Sequence, residues 1–171
     1  MRMAVRDFMP ILHDRTLELL PNDLRRACQA RAHSVWFQVH FHSPRVHYEV
    51  WLARKIERIE IGLHFEGQHD FSYLWAERIA GHMEEIQSAI GPDYELEEWT
   101  SSWTRLHETV PYDPLSPVLA EEIAHRFARL IAVCQPIIEM ERGNIPAGLD
   151  VSEPVRRSPR GRFRHKSKRA G

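Results

Sequence analysis

The sequence predicts a two-layer α+β domain. It would hold a five-stranded, mostly antiparallel sheet with helices on one face, in the order α-β-β-β-α-β-β-α. Residues 34–66 contain successive runs in which apolar and polar side chains alternate, the mark of half-buried strands. Later segments place apolar residues at helical spacing instead. Charge then shows where the domain stops. All 24 Asp and Glu and 15 of the 23 Lys and Arg lie within residues 1–153, a net of −9. Residues 154–171 hold the other 8 basic residues and no acid, so the overall charge of −1 is a cancellation.

Taken in order, residues 14–32 read as helical, with Asp14 as N-cap and Leu17, Leu20, Leu24, Ala27 and Cys28 at helical spacing. Pro21 interrupts this run and predicts two short helices or one kinked helix. Residues 34–42 alternate: Val35, Phe37, Val39 and Phe41 face one way, Trp36, Gln38, His40 and His42 the other. Residues 46–53 set Val46, Tyr48, Val50 and Leu52 against His47, Glu49, Trp51 and Ala53. Residues 58–66 set Ile59, Ile61, Leu63 and Phe65 against Arg58, Glu60, His64 and Glu66. Short connections make these runs an antiparallel meander with one apolar face. Matching the faces constrains the register, and turns at His42–Arg45 and Lys55-Ile56 then set Trp36 opposite Trp51, His40 opposite His47, His47 opposite His64, and Trp51 opposite Glu60.

Between Asp70 and Ile90 the period becomes helical, with Phe71, Trp75, Ile79, Met83, Ile86 and Ile90 on one stripe. Gly91-Pro92 ends that helix. Weaker strands follow near 94–99 and 103–110. Ser116-Pro117 is an N-cap and first-turn pair for a helix striped with Leu119, Ile123, Phe127, Leu130, Cys134 and Ile137. Pro136 is expected to kink or shorten its end.

Residues 1–150 therefore form one domain, long enough to bury a core without covalent staples. Residues 151–171 lack apolar periodicity and are expected to be a disordered basic tail. Cys28 and Cys134 are no disulfide framework, which fits a reducing compartment. With no signal-like or membrane-length apolar run, a cytoplasmic location is expected.

The segments Ile59–Phe65, Glu85–Ile86, Leu96–Trp99 and the central Arg105 are similar to an uncharacterised domain found C-terminally in some restriction-associated bacterial proteins. The resemblance covers roughly residues 34–140. The nuclease part of those larger proteins has no counterpart here, so the resemblance implies a fold and no activity. The element order is also similar to that of type III secretion chaperones, a likeness of topology alone.

The candidate site is the second face of the meander. His40, His42 and His47 offer two imidazoles at i, i+2 and a third on the next strand, spacing that suits zinc, with His64 or Glu66 as fourth ligand. A plain or partner-covered sheet face is the simpler reading of the same residues. Trp36 and Trp51, paired away from the core, call for a cover from a partner, from a second copy, or from helix 14–32. Glu95, Glu97 and Glu98 read as a charged sheet edge, and Arg105 with His107 as cross-strand partners for those acids. Cys134 on a core stripe reads as an inert buried thiol. In the tail, Arg156, Arg157, Arg160, Arg162, Arg164, Lys166, Lys168 and Arg169 can neutralise phosphates, giving nucleic-acid or anion contact without sequence specificity. No Gly-rich phosphate loop, paired-cysteine motif or catalytic serine signature occurs.

The function expected is a non-enzymatic interaction domain. It binds a protein partner or itself, and the basic tail adds electrostatic attachment. The alternative is a metal-dependent hydrolase using the histidine cluster, with zinc as its cofactor.

Overall fold

The computed structural model describes residues 3–112 and 114–149. Its helices and strands run α1 (Val5–Leu19), α2 (Asn22–Ala27), β1 (Gln29–Ala32), β2 (Trp36–His40), β3 (Val46–Ala53), β4 (Arg58–Phe65), α3 (His69–Ala80), α4 (Met83–Ile90), β5 (Glu95–Glu98), β6 (Thr104–Pro111) and α5 (Pro117–Arg142). The strands form one antiparallel sheet in the order β1-β2-β3-β4-β6-β5. The α+β class holds, with six strands rather than five. No helix among the described residues is long and apolar enough to cross a membrane.

The meander pairs as its alternation requires. Trp36 stands opposite Trp51, and Phe37 opposite Val50. His47 stands opposite His64, Val50 opposite Ile61, and Trp51 opposite Glu60. The Phe37 side is the core side. Phe37, Val50 and Ile61 are fully buried. The Phe37 ring meets Phe127 of α5 edge-on at 5.4 Å and His13 of α1 at 5.1 Å. Phe65 stacks on Trp75 of α3 at 5.7 Å. Aromatic pairs at these separations contribute beyond their buried area.

The helices differ in detail from the sequence expectation. The helix expected at 14–32 is three elements. α1 starts earlier, at Val5, because Phe8, Met9 and Leu12 form a buried stripe of their own despite Pro10 within the helix. Pro21 separates α1 from α2, as expected. Gln29–Ala32 then adds a strand at the sheet edge, pairing Ala30 with Val39. Its residues Gln-Ala-Arg-Ala alternate only through alanine, which is small and depleted in strands, so the sequence marks it weakly. α1 packs beside α5 and does not cover the Trp36 side.

The helix expected at 70–90 breaks at Gly81, where the N–H groups of Gly81 and His82 turn back onto Arg78 O and Ile79 O. Phe71, Trp75, Ile79 and Ile86 stay buried across the break. α5 is not shortened at Pro136 and continues to Arg142. Buried Ile137 and Ile138 hold its last turns against the core, at the cost of one backbone hydrogen bond. Its start follows expectation: Ser116 Oγ accepts from Leu119 N at 3.1 Å. The expected disorder of residues 151–171 lies outside the described residues.

Candidate functional site

Strand periodicity builds the second face of the sheet in rows. One row carries His47, His64, Arg105 and Glu97 across β3, β4, β6 and β5. The next carries Gln38, Glu49, Gly62 and His107 from β2 to β6. A third carries Trp36, Trp51, Glu60 and Thr109. Gly62 sits in the middle of this pattern for a steric reason. A Cβ there would lie 3.0 Å from His107 Cβ and 3.1 Å from His64 Nε2. Its missing side chain is the space into which His64 reaches.

Most of these polar groups are buried, including His47, Glu49, Glu60, His64 and Arg105. Burial of charge is tolerated only with partners in place, and the partners are there. His64 Nε2 donates to Glu60 Oε1 at 2.8 Å, and its Nδ1 lies 3.1 Å from Glu66 Oε1. Arg105 Nη1 donates to the other oxygen of Glu60 at 2.7 Å, and its Nη2 to Glu97 Oε1 at 2.6 Å. His107 Nε2 lies 2.8 Å from the same Glu97 oxygen. On the other side, Gln38 Nε2 donates to Glu49 Oε2 at 2.5 Å and lies 3.3 Å from His47 Nε2. His47 Nδ1 donates to Pro44 O at 2.9 Å, which leaves the Nε2 lone pair facing into the cluster. Trp99, just after β5, closes one end. Its ring meets His64 edge-on at 4.8 Å, with the Arg105 guanidinium 5.2 Å from its centroid.

The electrostatics follow these contacts. Burial opposes charge on His64, but its hydrogen bonds to Glu60 and Glu66, with the fields of Glu60 and Glu49, hold its pKa up at about 10. Burial likewise opposes charge on Glu60, and the His64 bond with the Arg105 field brings its pKa below the ordinary carboxylate value. The His107 bond, against burial and aided by Arg105, holds Glu97 down at about 2. Burial pushes His47 down, opposed by Glu66 and reinforced by His64.

The structure brings together two of the four histidines read as metal ligands. His47 and His64 join Glu66, one ligand atom from each lying within 4.8 Å of the others. Among the described residues this is the one such group of His, Cys, Asp and Glu. His42 is not part of it, and this corrects the expected His40, His42 and His47 trio. β2 ends at His40, the chain turns, and His42 Nε2 lies 2.7 Å from Glu139 Oε1 on α5. There it lines a separate cavity of about 280 Å³, beside Phe41, Val46, Trp75, Ile138 and Arg142. His40 stays on the second face, half-buried, its pKa lowered by burial and by the neighbouring His47 and Arg31.

Trp36 is 7% exposed and stacks on His33 at 5.3 Å, while Trp51 opposite it is half-buried. Cys134 is buried, and burial pushes its thiol up to about 12, which leaves it inert near neutrality. The contacts expected of Arg156, Arg157, Arg160, Arg162, Arg164, Lys166, Lys168 and Arg169 lie outside the described residues. Sequence reasoning missed Glu60 as the hub of the network. Its place on the second face was readable from the alternation, but its burial was not.

Comparison of the chain with protein-family models, with curated proteins and with solved structures gave no match. The resemblance drawn from the sequence stays an expectation.

Proposed function

We propose that the chain is a non-enzymatic interaction domain whose second sheet face receives a basic segment of a partner protein or of a second copy of itself. One observation carries this reading. The face opposite the helices presents Glu97, 40% exposed at its side chain, and the exposed Glu95 along its edge strand, with Trp51 and Trp99 half-buried on the same side. Glu49 and Glu60 beneath are buried and paired within the fold. Carboxylates beside aromatic faces suit guanidinium and ammonium groups, through charge-assisted hydrogen bonds and cation–π contact. Residues 154–171, with 8 basic residues and no acid, have the composition of such a segment, and they add electrostatic attachment to polyanions.

The test is a fluorescence titration of the chain, with and without residues 154–171, using an oligo-arginine peptide. Saturable binding is expected, weakened by salt and by Glu97→Gln combined with Glu95→Gln. Binding indifferent to both acids, or no binding by either form, overturns the reading. A second reading, a metal-dependent hydrolase, draws on the His47, His64 and Glu66 group alone.

A further inference from the structure

We propose that His47, His64 and Glu66 form a binding site for one zinc-class divalent cation, leaving a fourth coordination position for water or a ligand. This goes beyond the interaction reading and does not rest on it.

The donor set is of the right kind. Two imidazoles and one carboxylate suit zinc and its first-row neighbours, whereas magnesium and calcium prefer all-oxygen sites. The spacing also fits. A tetrahedral ion with bonds of about 2.0–2.1 Å needs ligand atoms roughly 3.3 Å apart. His64 Nδ1 lies 3.1 Å and His47 Nε2 3.8 Å from Glu66 Oε1. Adjustments of a few tenths of an ångström bring these two distances to the required value. The third, between the two imidazole nitrogens and within 4.8 Å, closes by tilting the stacked rings toward the ion.

The groups behind the ligands are arranged as a metal site requires. A metal-bound imidazole usually donates its other N–H to a carbonyl or carboxylate, which fixes both tautomer and ring orientation. His47 Nδ1 donates to Pro44 O at 2.9 Å, so its Nε2 carries the lone pair. His64 Nε2 donates to Glu60 Oε1 at 2.8 Å, which frees Nδ1 to ligate on the Glu66 side. Arg105 in turn anchors Glu60 at 2.7 Å. Both rings thus turn their remaining nitrogens toward Glu66, and a bound ion takes the place of the proton between His64 and Glu66 and of the 3.3 Å contact from Gln38 Nε2 to His47 Nε2. The rings themselves are held by stacking at 5.3 Å and by the Trp99 edge at 4.8 Å. His64 near the end of β4, Glu66 just beyond that end and His47 on the neighbouring β3 are the three proposed ligands.

The full untagged chain would be stripped with a chelator and titrated with zinc by calorimetry, then loaded with cobalt(II) for visible absorption. One ion per chain and the intense absorption of a tetrahedral cobalt site are expected. Glu66→Gln, at a half-buried position compatible with folding, should lower affinity by tenfold or more. Glu60→Gln should lower it by about 10–100-fold, through ring orientation. His40→Ala and His42→Ala should leave it unchanged. Circular dichroism confirms that each variant is folded. Weak or multiple binding, or stoichiometric binding that survives Glu66→Gln, overturns the proposal. So does loss of binding in His40→Ala or His42→Ala, which would place the ion at the β2 end. Oligo-arginine binding is read separately, so either proposal can fail alone.

Discussion

His47 and His64 face each other across β3 and β4, ring centroids 5.3 Å apart and planes 26° from parallel. Two positive imidazoles stacked in this way would repel at short range with little water between them. The sheet resolves this by unequal neighbours. Glu60 and Glu66 flank His64 and hold its charge, whereas burial and the His64 charge push His47 toward its neutral form. Two residues of one type, opposite each other in one register, thus carry different states.

Arg105→Ala leaves Glu60 buried with one cationic partner in place of two. Removing one member of a buried ion pair costs about 3–5 kcal/mol. Urea unfolding followed by tryptophan fluorescence should show a loss of that order. The double variant Arg105→Met with Glu60→Gln should lose less than Arg105→Ala, because no unbalanced charge stays inside.

Gly62→Ala tests the packing of the same cluster. The added methyl meets His107 Cβ at 3.0 Å and His64 Nε2 at 3.1 Å. Overpacking of this kind costs about 1–3 kcal/mol. The shift it imposes on His64 should lengthen the Glu60 bond, visible as a changed imidazole nitrogen resonance in NMR. An unchanged resonance and unchanged stability would show that the face has slack the distances do not reveal.

Glu97 carries a pH dependence of definite sign. Its pKa is lowered from 4.5 to about 2 by His107 and Arg105, against burial. A lowered carboxylate contributes stability that is present above its unfolded value and is lost as pH falls through its folded value. Stability should therefore drop between about pH 4.5 and pH 2, and Glu97→Gln should flatten that part of the curve. Because Glu97 is 40% exposed at its side chain, the effect should shrink in high salt.

The basic residues of 154–171 predict polyanion binding that is steep in salt. On duplex DNA the logarithm of affinity should fall by about 0.9 per phosphate contacted for each decade of salt. Deleting the segment should abolish the binding, since the net charge of −9 on residues 1–153 repels polyanions. Fluorescence anisotropy across a salt series checks both. Binding that is insensitive to salt, or that survives deletion, would place the contact on the body of the protein.

Alternation made the meander legible before any coordinates. A one-residue slip would have turned Phe37 and Ile61 to the wrong face, and the turn at Lys55-Ile56 then set His47 opposite His64. Of the four histidines read as candidate ligands, only His47 and His64 come together. The i, i+2 pair that joins His47 is His64 on β4 with Glu66 just beyond its end, not His40 and His42. The difference lies in where β2 stops, and strand ends are set by tertiary contacts such as His42 with Glu139. β1 was missed because its apolar residues, Ala30 and Ala32, are small and favour helix over strand, although Ala30 packs against the core.

β6 lies between β4 and β5, so the hairpin from Glu95 to Pro111 is the piece that completes the sheet. Glu60 and Arg105 are neighbours across β4 and β6 although 45 residues separate them in sequence. Synthesis runs from the N-terminus, and the β2-β3-β4 hairpins are complete well before Arg105 leaves the ribosome. During that interval Glu60 has His64 and water as company, and no guanidinium. The second face is therefore synthesised in two instalments. A nascent or truncated chain ending before Trp99 would carry the whole His47, His64 and Glu66 group without the arginine and the indole that close it.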